Sequence, residues 1–313
     1  MKMIKMKYIS LLVLAFIFAF TVKAYAYDSL VNQCFSRIDS QSYMSAKKLG
    51  LMAVESNYKS FNARLCLGEA NENLGNYKVA ISEFSFAVPA ANNKTRKMLV
   101  YNWLGSAYHN IGNQKEAFKY DSMSLALARR ANDTSLESND LNNIGTIYLS
   151  EGRYAKSLHY YEESLPLHVT ASGLAVTYGN IGVAYYGMGN CPEAIKYQTK
   201  ALNLLNSDKN KNGGDYYVTA VNLINLGGDN ICTKNYSRAN IDITEGLTMV
   251  KKIGAKKWIA TGYRYLGRLY RNEGNNKKSL FYYRKAHKMY RVIGSSGRAH
   301  DTLMMINKIK ENR

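Results

Sequence analysis

The side chains best suited to chemistry are scattered in patterns that build no recognisable catalytic site. Five histidines stand at positions 109, 159, 168, 287 and 300, and no pair has the spacing with which a helix presents two imidazoles to a metal. The four cysteines, Cys34, Cys66, Cys191 and Cys232, form no closely spaced pair of the kind that holds zinc or exchanges disulfides. There is no Gly-x-Ser-x-Gly turn to expose a nucleophilic serine, and no glycine-rich loop to cradle phosphate. Gly227-Gly228-Asp229 falls within a helical stretch, and the paired carboxylates Glu162 and Glu163 lie on what reads as a solvated helix face. The chain is therefore expected to be no enzyme, with no cofactor and no metal.

Polarity at the ends bears on partners. Lysines at positions 2, 5 and 7 precede an apolar run from Tyr8 to Val22, followed by Ala24-Tyr25-Ala26, which is the layout of a secretory signal peptide over residues 1–26. The run is short for a membrane-spanning helix. The formal charge is +19, and without Lys2, Lys5, Lys7 and Lys23 the remainder still has 38 basic against 23 acidic residues. In an exported chain this surplus suits anionic lipid head groups, cell-wall polymers or acidic proteins better than nucleic acid, which is not expected as a partner. A periplasmic or secreted protein with peripheral membrane contact is one reading, and simple solubility through net charge is another.

The elements that would position any site are repeated. Aliphatic-glycine pairs occur at Leu67-Gly68, Leu104-Gly105, Ile144-Gly145, Ile181-Gly182, Leu226-Gly227 and Leu266-Gly267. Twelve residues after each glycine comes a small side chain: Ala80, Ala117, Ser157, Ala194, Ala239 and Ser279. Between these landmarks lie turn signals such as Leu74-Gly75-Asn76 and Met188-Gly189-Asn190, in which glycine ends one helix and asparagine can cap the next. One unit, with Lys234-Asn235-Tyr236, lacks the turn glycine. Each unit thus reads as helix, tight turn, helix. Large residues four and one before and three after the landmark glycine, such as Tyr101, Leu104 and Tyr108, share one helical face and form the expected core.

This pattern resembles the tetratricopeptide repeat family. Aromatic-x2-Leu-Gly-x2-Tyr followed by alanine stands here as Tyr101-x2-Leu104-Gly105-x2-Tyr108 with Ala117, as Tyr178-x2-Ile181-Gly182-x2-Tyr185 with Ala194, and as Tyr263-x2-Leu266-Gly267-x2-Tyr270 with Ala286. The resemblance implies an all-α fold, a right-handed α-solenoid of antiparallel helix-turn-helix repeats. About seven repeats are expected, beginning near residues 27, 61, 98, 138, 175, 220 and 260 and closed by a capping helix over 297–313. The spacing exceeds the usual 34 residues of the family, and residues 207–214 read as an inserted loop. In such a stack Cys191 opens a second helix and Cys232 closes the next first helix, which makes this pair a candidate disulfide. Cys34 and Cys66 also fall in consecutive units.

First helices line the concave wall of such a superhelix. Opposite the core stripe lie Asn102, Trp103, His109, Asn142, Asn143, Thr146, Asn180, Tyr186, Asn225, Arg264, Arg268 and Arg271, with Glu69 and Glu72 toward the amino end. Amides can both donate to and accept from an extended peptide backbone, and the arginines suit a carboxylate or acidic segment. The asparagines could equally bond between neighbouring helices. The reading is a non-catalytic scaffold of the cell envelope or extracellular space that holds a protein or peptide in its groove. Two alternatives stay open: a basic protein that associates with anionic lipid or cell-wall polymer, and a ligand-sensing partner of a separate signalling protein.

Overall fold

The structure, a computed structural model, describes residues 27–207 and 213–311. The expected signal segment, residues 1–26, and residues 208–212 of the expected inserted loop lie outside these bounds. Fifteen α-helices and no strand are present among the described residues. They pair as seven antiparallel hairpins and a final helix: α1 (27–39) with α2 (Tyr43–Ser56), α3 (Phe61–Asn73) with α4 (Tyr77–Ala87), α5 (Lys94–Ile111) with α6 (Gln114–Ala131), α7 (Thr134–Ser150) with α8 (Tyr154–Ser164), α9 (Ala171–Gly187) with α10 (Cys191–Ser207), α11 (Gly213–Cys232) with α12 (Tyr236–Ile253), α13 (Lys256–Asn272) with α14 (Asn276–Val292), and α15 (Ser296–Glu311). The array is a right-handed α-solenoid.

Local chemistry sets these boundaries. Eight helices have a serine, threonine, asparagine or aspartate just before them whose side chain accepts a backbone N–H of the first turn, as Asn93 does from Arg96 and Asp133 from Leu136. Glycines 75, 112, 152, 189, 254, 274 and 294 end helices with positive φ. In the two hairpins without a turn glycine, α1–α2 and α11–α12, Gln41 and Lys234 take up the left-handed conformation themselves, at φ 56° and 62°. Two of the prolines sit in 3-10 turns, Val88–Ala90 and Leu165–Leu167, that close α4 and α8.

Packing explains the landmark residues. All six small side chains, from Ala80 to Ser279, are fully buried. Each landmark glycine lies under the residue sixteen positions later. A Cβ on Gly145 would come within 2.6 Å of the Tyr161 ring, and one on Gly267 within 2.8 Å of Tyr283. The helices of a hairpin can approach this closely only because no side chain intervenes. The core stripe divides in two. Leu104, Ile144, Ile181 and Leu266 are buried, whereas the tyrosines of the stripe are half-buried. Those tyrosines stack on a tyrosine of the second helix: Tyr108 on Tyr120, Tyr148 on Tyr160, Tyr185 on Tyr197 and Tyr270 on Tyr282, with centroids 5.3–5.6 Å apart. Disulfides tie α1 to α3 through Cys34–Cys66 and α10 to α11 through Cys191–Cys232, each with Cα atoms 6.3 Å apart.

The superhelix closes on itself, which an open groove did not anticipate. The second hairpin meets the seventh and the capping helix. Tyr77 shares a buried cluster with Ala260, Ala286, Tyr290, Ile293 and Ala299, and Leu74 lies in contact with the region around Ile253 and Gly254. Lys256 Nζ donates to Asn76 Oδ1 at 3.1 Å, and Lys257 Nζ to Asn110 Oδ1 at 2.6 Å. Asn76 has no side-chain cap bond to its own helix, because its amide is used in this seam and with Asn71.

Candidate ligand-binding cavity

Closure turns the concave groove into a cavity of about 460 Å³, within the range of small-ligand sites. Every first helix from α3 to α13 contributes to its wall, and α15 adds Arg298. Eight residues expected in the wall from sequence lie there, Glu72, Trp103, His109, Asn143, Thr146, Asn180, Asn225 and Arg264, whereas Glu69 does not line it.

The other five are placed elsewhere, and their partners explain why. Asn102 Nδ2 donates to Asp140 Oδ1 at 2.8 Å, joining α5 to α7. Asn142 is buried, with its Nδ2 within hydrogen-bond distance of Ser138 O, Ser164 Oγ and Thr177 Oγ1 and its Oδ1 accepting from Asn180, so it knits α7, α8 and α9. These two asparagines are interhelical bonds, not groove contacts. Of the three arginines only one lines the cavity. Arg264 lines the cavity, Arg268 lies 5.5 Å from the centroid of the Tyr186 ring, and Arg271 reaches Met305 Sδ on α15. Tyr186 is thereby engaged as the platform for Arg268.

Side chains outside the expected set complete the wall. Ser106, Asn110 and Thr261 fall on the same helical stripe, one and five after and six before their glycines, and were within reach of the periodicity. Lys257, Trp258, Tyr217 and Arg298 were not, since closure alone brings the first turns of α13 and α15 beside α3 and α5.

The electrostatics concentrate where the seam meets the cavity. Glu72 Oε1 accepts from Ser106 Oγ at 2.5 Å and Asn110 Nδ2 at 3.2 Å, while its buried Oε2 has no partner. Burial pushes the Glu72 carboxyl up to about 7 against the pull of those bonds and of the Lys257 ammonium. Burial likewise lowers Lys257 to about 7, with the nearby Arg298 cation acting in the same direction. His109 is held neutral, its value lowered to about 3 by burial and by Lys257. Its Nδ1 lies 2.9 Å from Gln114 Oε1, which fixes the proton there and leaves Nε2 as an acceptor. Arg264 has a buried Nε without a partner, and its guanidinium lies over the Tyr265 ring. Two of the lining residues thus bury an unpartnered atom behind the wall, a carboxylate oxygen and a guanidinium N–H, while amides and the indoles of Trp103 and Trp258 line it. Such an arrangement can hold a polar ligand by hydrogen bonds and stacking. Among the described residues, no group of three or more His, Cys, Asp or Glu side chains could hold a metal ion, and no helix is long and apolar enough to cross a membrane.

Comparison with known proteins agrees with this architecture. Models described as tetratricopeptide repeat match residues 96–168, 174–205 and 266–291. A curated relative, outer dynein arm-docking complex subunit 4 of Danio rerio, is 27% identical over 103 residues, covering 33% of this chain and 21% of that protein. The chain thus spans about a fifth of the length of the curated relatives it matches. Among solved structures, a Rap protein complexed with Competence and Sporulation Factor superimposes with TM-score 0.59 at 12% identity, covering 92% of this chain and 98% of that one. The Cut9–Hcn1 hetero-tetramer of the APC/C gives 0.62 at 15% identity, covering 91% and 53%, and a tetratricopeptide repeat protein of Parabacteroides merdae gives 0.52 at 14% identity, covering 89% and 99%. At such identities the likeness is one of fold. Repeats of this kind generally form scaffolds that bind other proteins and carry no catalytic chemistry. Family-model matches in three stretches, together with glycine landmarks that recur through six successive hairpins, make this chain a tetratricopeptide repeat protein.

Proposed function

We propose that this protein is an exported, non-catalytic scaffold that holds a short segment of a peptide or protein partner, bearing a carboxylate or other anionic group, inside the closed cavity. The observation that carries this reading is the pair of buried, unpartnered polar atoms on cavity residues, Glu72 Oε2 and Arg264 Nε. Leaving a buried polar group unmatched costs about 1–3 kcal/mol, so a ligand toward which these two side chains turn, with a donor for one and an acceptor for the other, gains both bonds. Lys257, Arg264 and Arg298 outweigh Glu72 in charge and favour an anion. The volume suits a few residues of extended chain and excludes a folded domain. The Rap protein bound to Competence and Sporulation Factor supports the idea by likeness of fold. Export is supported by the layout of residues 1–26 and by two disulfides, which persist in oxidising compartments.

Affinity selection from a soluble library of short peptides, with recovered sequences read by mass spectrometry, tests the binding reading. Wild-type protein should enrich peptides with acidic residues or a free carboxyl terminus, and Arg264→Gln should lose them. Equal enrichment by a variant whose cavity is filled, Val221→Trp, would show that binding lies elsewhere. Cell fractionation with the amino-terminal sequence of the recovered protein tests export.

A further inference from the structure

The second helix of the last hairpin, α14, has an outer surface unlike that of any other second helix. Its exposed residues include six cations, Lys277, Lys278, Arg284, Lys285, Lys288 and Arg291, and no acidic residue occurs anywhere in the helix. None of these six takes part in any of the seven ion pairs present among the described residues. The remaining exposed positions of α14 are apolar: Phe281 is 51% exposed and Val292 68%. No neutral polar residue belongs to this face. By contrast, α8 exposes Glu162 and Glu163, and α12 exposes Glu245.

The cationic surface continues onto the neighbouring hairpin. Lys285 Nζ lies 4.3 Å from the centroid of the Phe281 ring and 5.3 Å from that of Tyr263, and Lys251 of α12 approaches the same Tyr263 ring at 5.4 Å. Over residues 256–311 the chain has fourteen basic against three acidic side chains, so the charge of the whole protein is concentrated at this end. This face is on the second helices. It is separate from the first-helix cavity.

We propose that the α14 face docks the protein onto an anionic lipid surface. Lysines and arginines around an exposed aromatic ring and a branched aliphatic side chain are what an interfacial helix needs: the cations meet the head groups while the apolar tips enter the acyl boundary. Phe281 decides between this and a soluble polyanion. An acidic polymer would engage the cations and leave an exposed phenylalanine and valine in water, whereas a bilayer covers them. The orientation that follows places the convex side of the last two hairpins on the membrane and leaves the cavity free to bind.

Co-sedimentation of the protein, residues 27–313, with vesicles tests this. Phosphatidylcholine vesicles containing about one-third phosphatidylglycerol should carry the protein down, and vesicles of phosphatidylcholine alone should not. Raising salt from about 0.1 to 0.5 M should release it. Arg284→Glu with Lys285→Glu and Lys288→Glu should weaken partitioning at least about tenfold, and Phe281→Ser about three- to tenfold, with helical circular dichroism unchanged. Binding that ignores lipid charge, or that survives the triple charge reversal, overturns the proposal. So does loss of vesicle binding only to the extent that soluble poly-glutamate captures the protein, together with no effect of Phe281→Ser.

Discussion

At the residue scale the unusual feature is the number of buried acids. Burial raises Glu69 and Asp229 to about 8 and Glu72 and Asp140 to about 7, and raises Asp121 as well. In the folded protein these carboxyls keep protons that the unfolded chain releases near pH 4. A raised carboxyl contributes stability that is fully present below its unfolded value and lost as pH rises through its folded value. His109 works the other way: its lowered value removes stability as pH falls below about 6.5. The four carboxyls of Glu69, Glu72, Asp140 and Asp229 outweigh one imidazole, so thermal melting should occur at a higher temperature near pH 5 than near pH 7. Above about pH 7 the lowered Lys257 adds stability as pH rises and flattens the decline. Glu72→Gln should shrink the pH dependence between about 5 and 7. A melting temperature that climbs steadily from pH 5 to 7 would contradict these protonation states. Few of these values could be expected from sequence. Glu69 and Glu72 stood on the right helix stripe, but nothing in the periodicity said that closure would take them out of water.

At the element scale most of the fold was legible. Glycine-asparagine turns and the small residue twelve positions after each landmark glycine set hairpin after hairpin, because close helix approach restricts those positions to a few residue types. The asparagines were legible only by stripe, not by role. Asn102 and Asn142 lie on the concave side yet are consumed by Asp140, Ser164 and Thr177 on adjoining helices, and helix phase alone cannot tell an interhelical amide from a free one. The turn between α11 and α12 carries a conformational cost at Lys234, whose φ of 62° is one that a side chain with a Cβ adopts at about 1–2 kcal/mol. Lys234→Gly should raise stability by about 0.5–1 kcal/mol, the gain being reduced by the greater freedom of glycine in the unfolded chain. Chemical denaturation with an unchanged slope would measure it, and a loss of stability would mean that Lys234 makes a compensating contact. The two disulfides close spans of 32 and 41 residues, and the chain-entropy relation assigns each about 4 kcal/mol. Reduction should lower the melting temperature by several degrees, whereas an unchanged melt would remove them from the stability of the array.

At the scale of the whole molecule, closure is the property that sequence did not reveal. A repeat pattern describes each neighbour contact, while the superhelical turn accumulates from small rotations that no single unit encodes. Contacts between residues 180 positions apart, such as Lys256 with Asn76, arise only when the turn is complete. The hydrophobic part of the seam, with Tyr77 against Ile293 and Tyr290, should hold it shut. Tyr77→Asp, combined with Ile293→Asp to set like charges against each other, should open the ring and raise the radius of gyration in small-angle X-ray scattering while helical content is retained. An unchanged radius would show that the neighbour packing alone fixes the closed shape.

The cavity as the place where a partner is held is the central claim, and the chain supplies its own reporter. Its two tryptophans, Trp103 and Trp258, both line that cavity. The decisive measurement is a tryptophan-fluorescence titration of the wild-type protein and of Val221→Trp and Arg264→Gln with a peptide recovered by selection. A saturable shift in emission of the wild type, with affinity lowered at least about tenfold by Arg264→Gln, is the predicted result, since a buried charged hydrogen bond is then lost. Binding of that peptide at full affinity to the cavity-filled Val221→Trp variant, without any change in Trp103 or Trp258 emission in the wild type, would contradict the account.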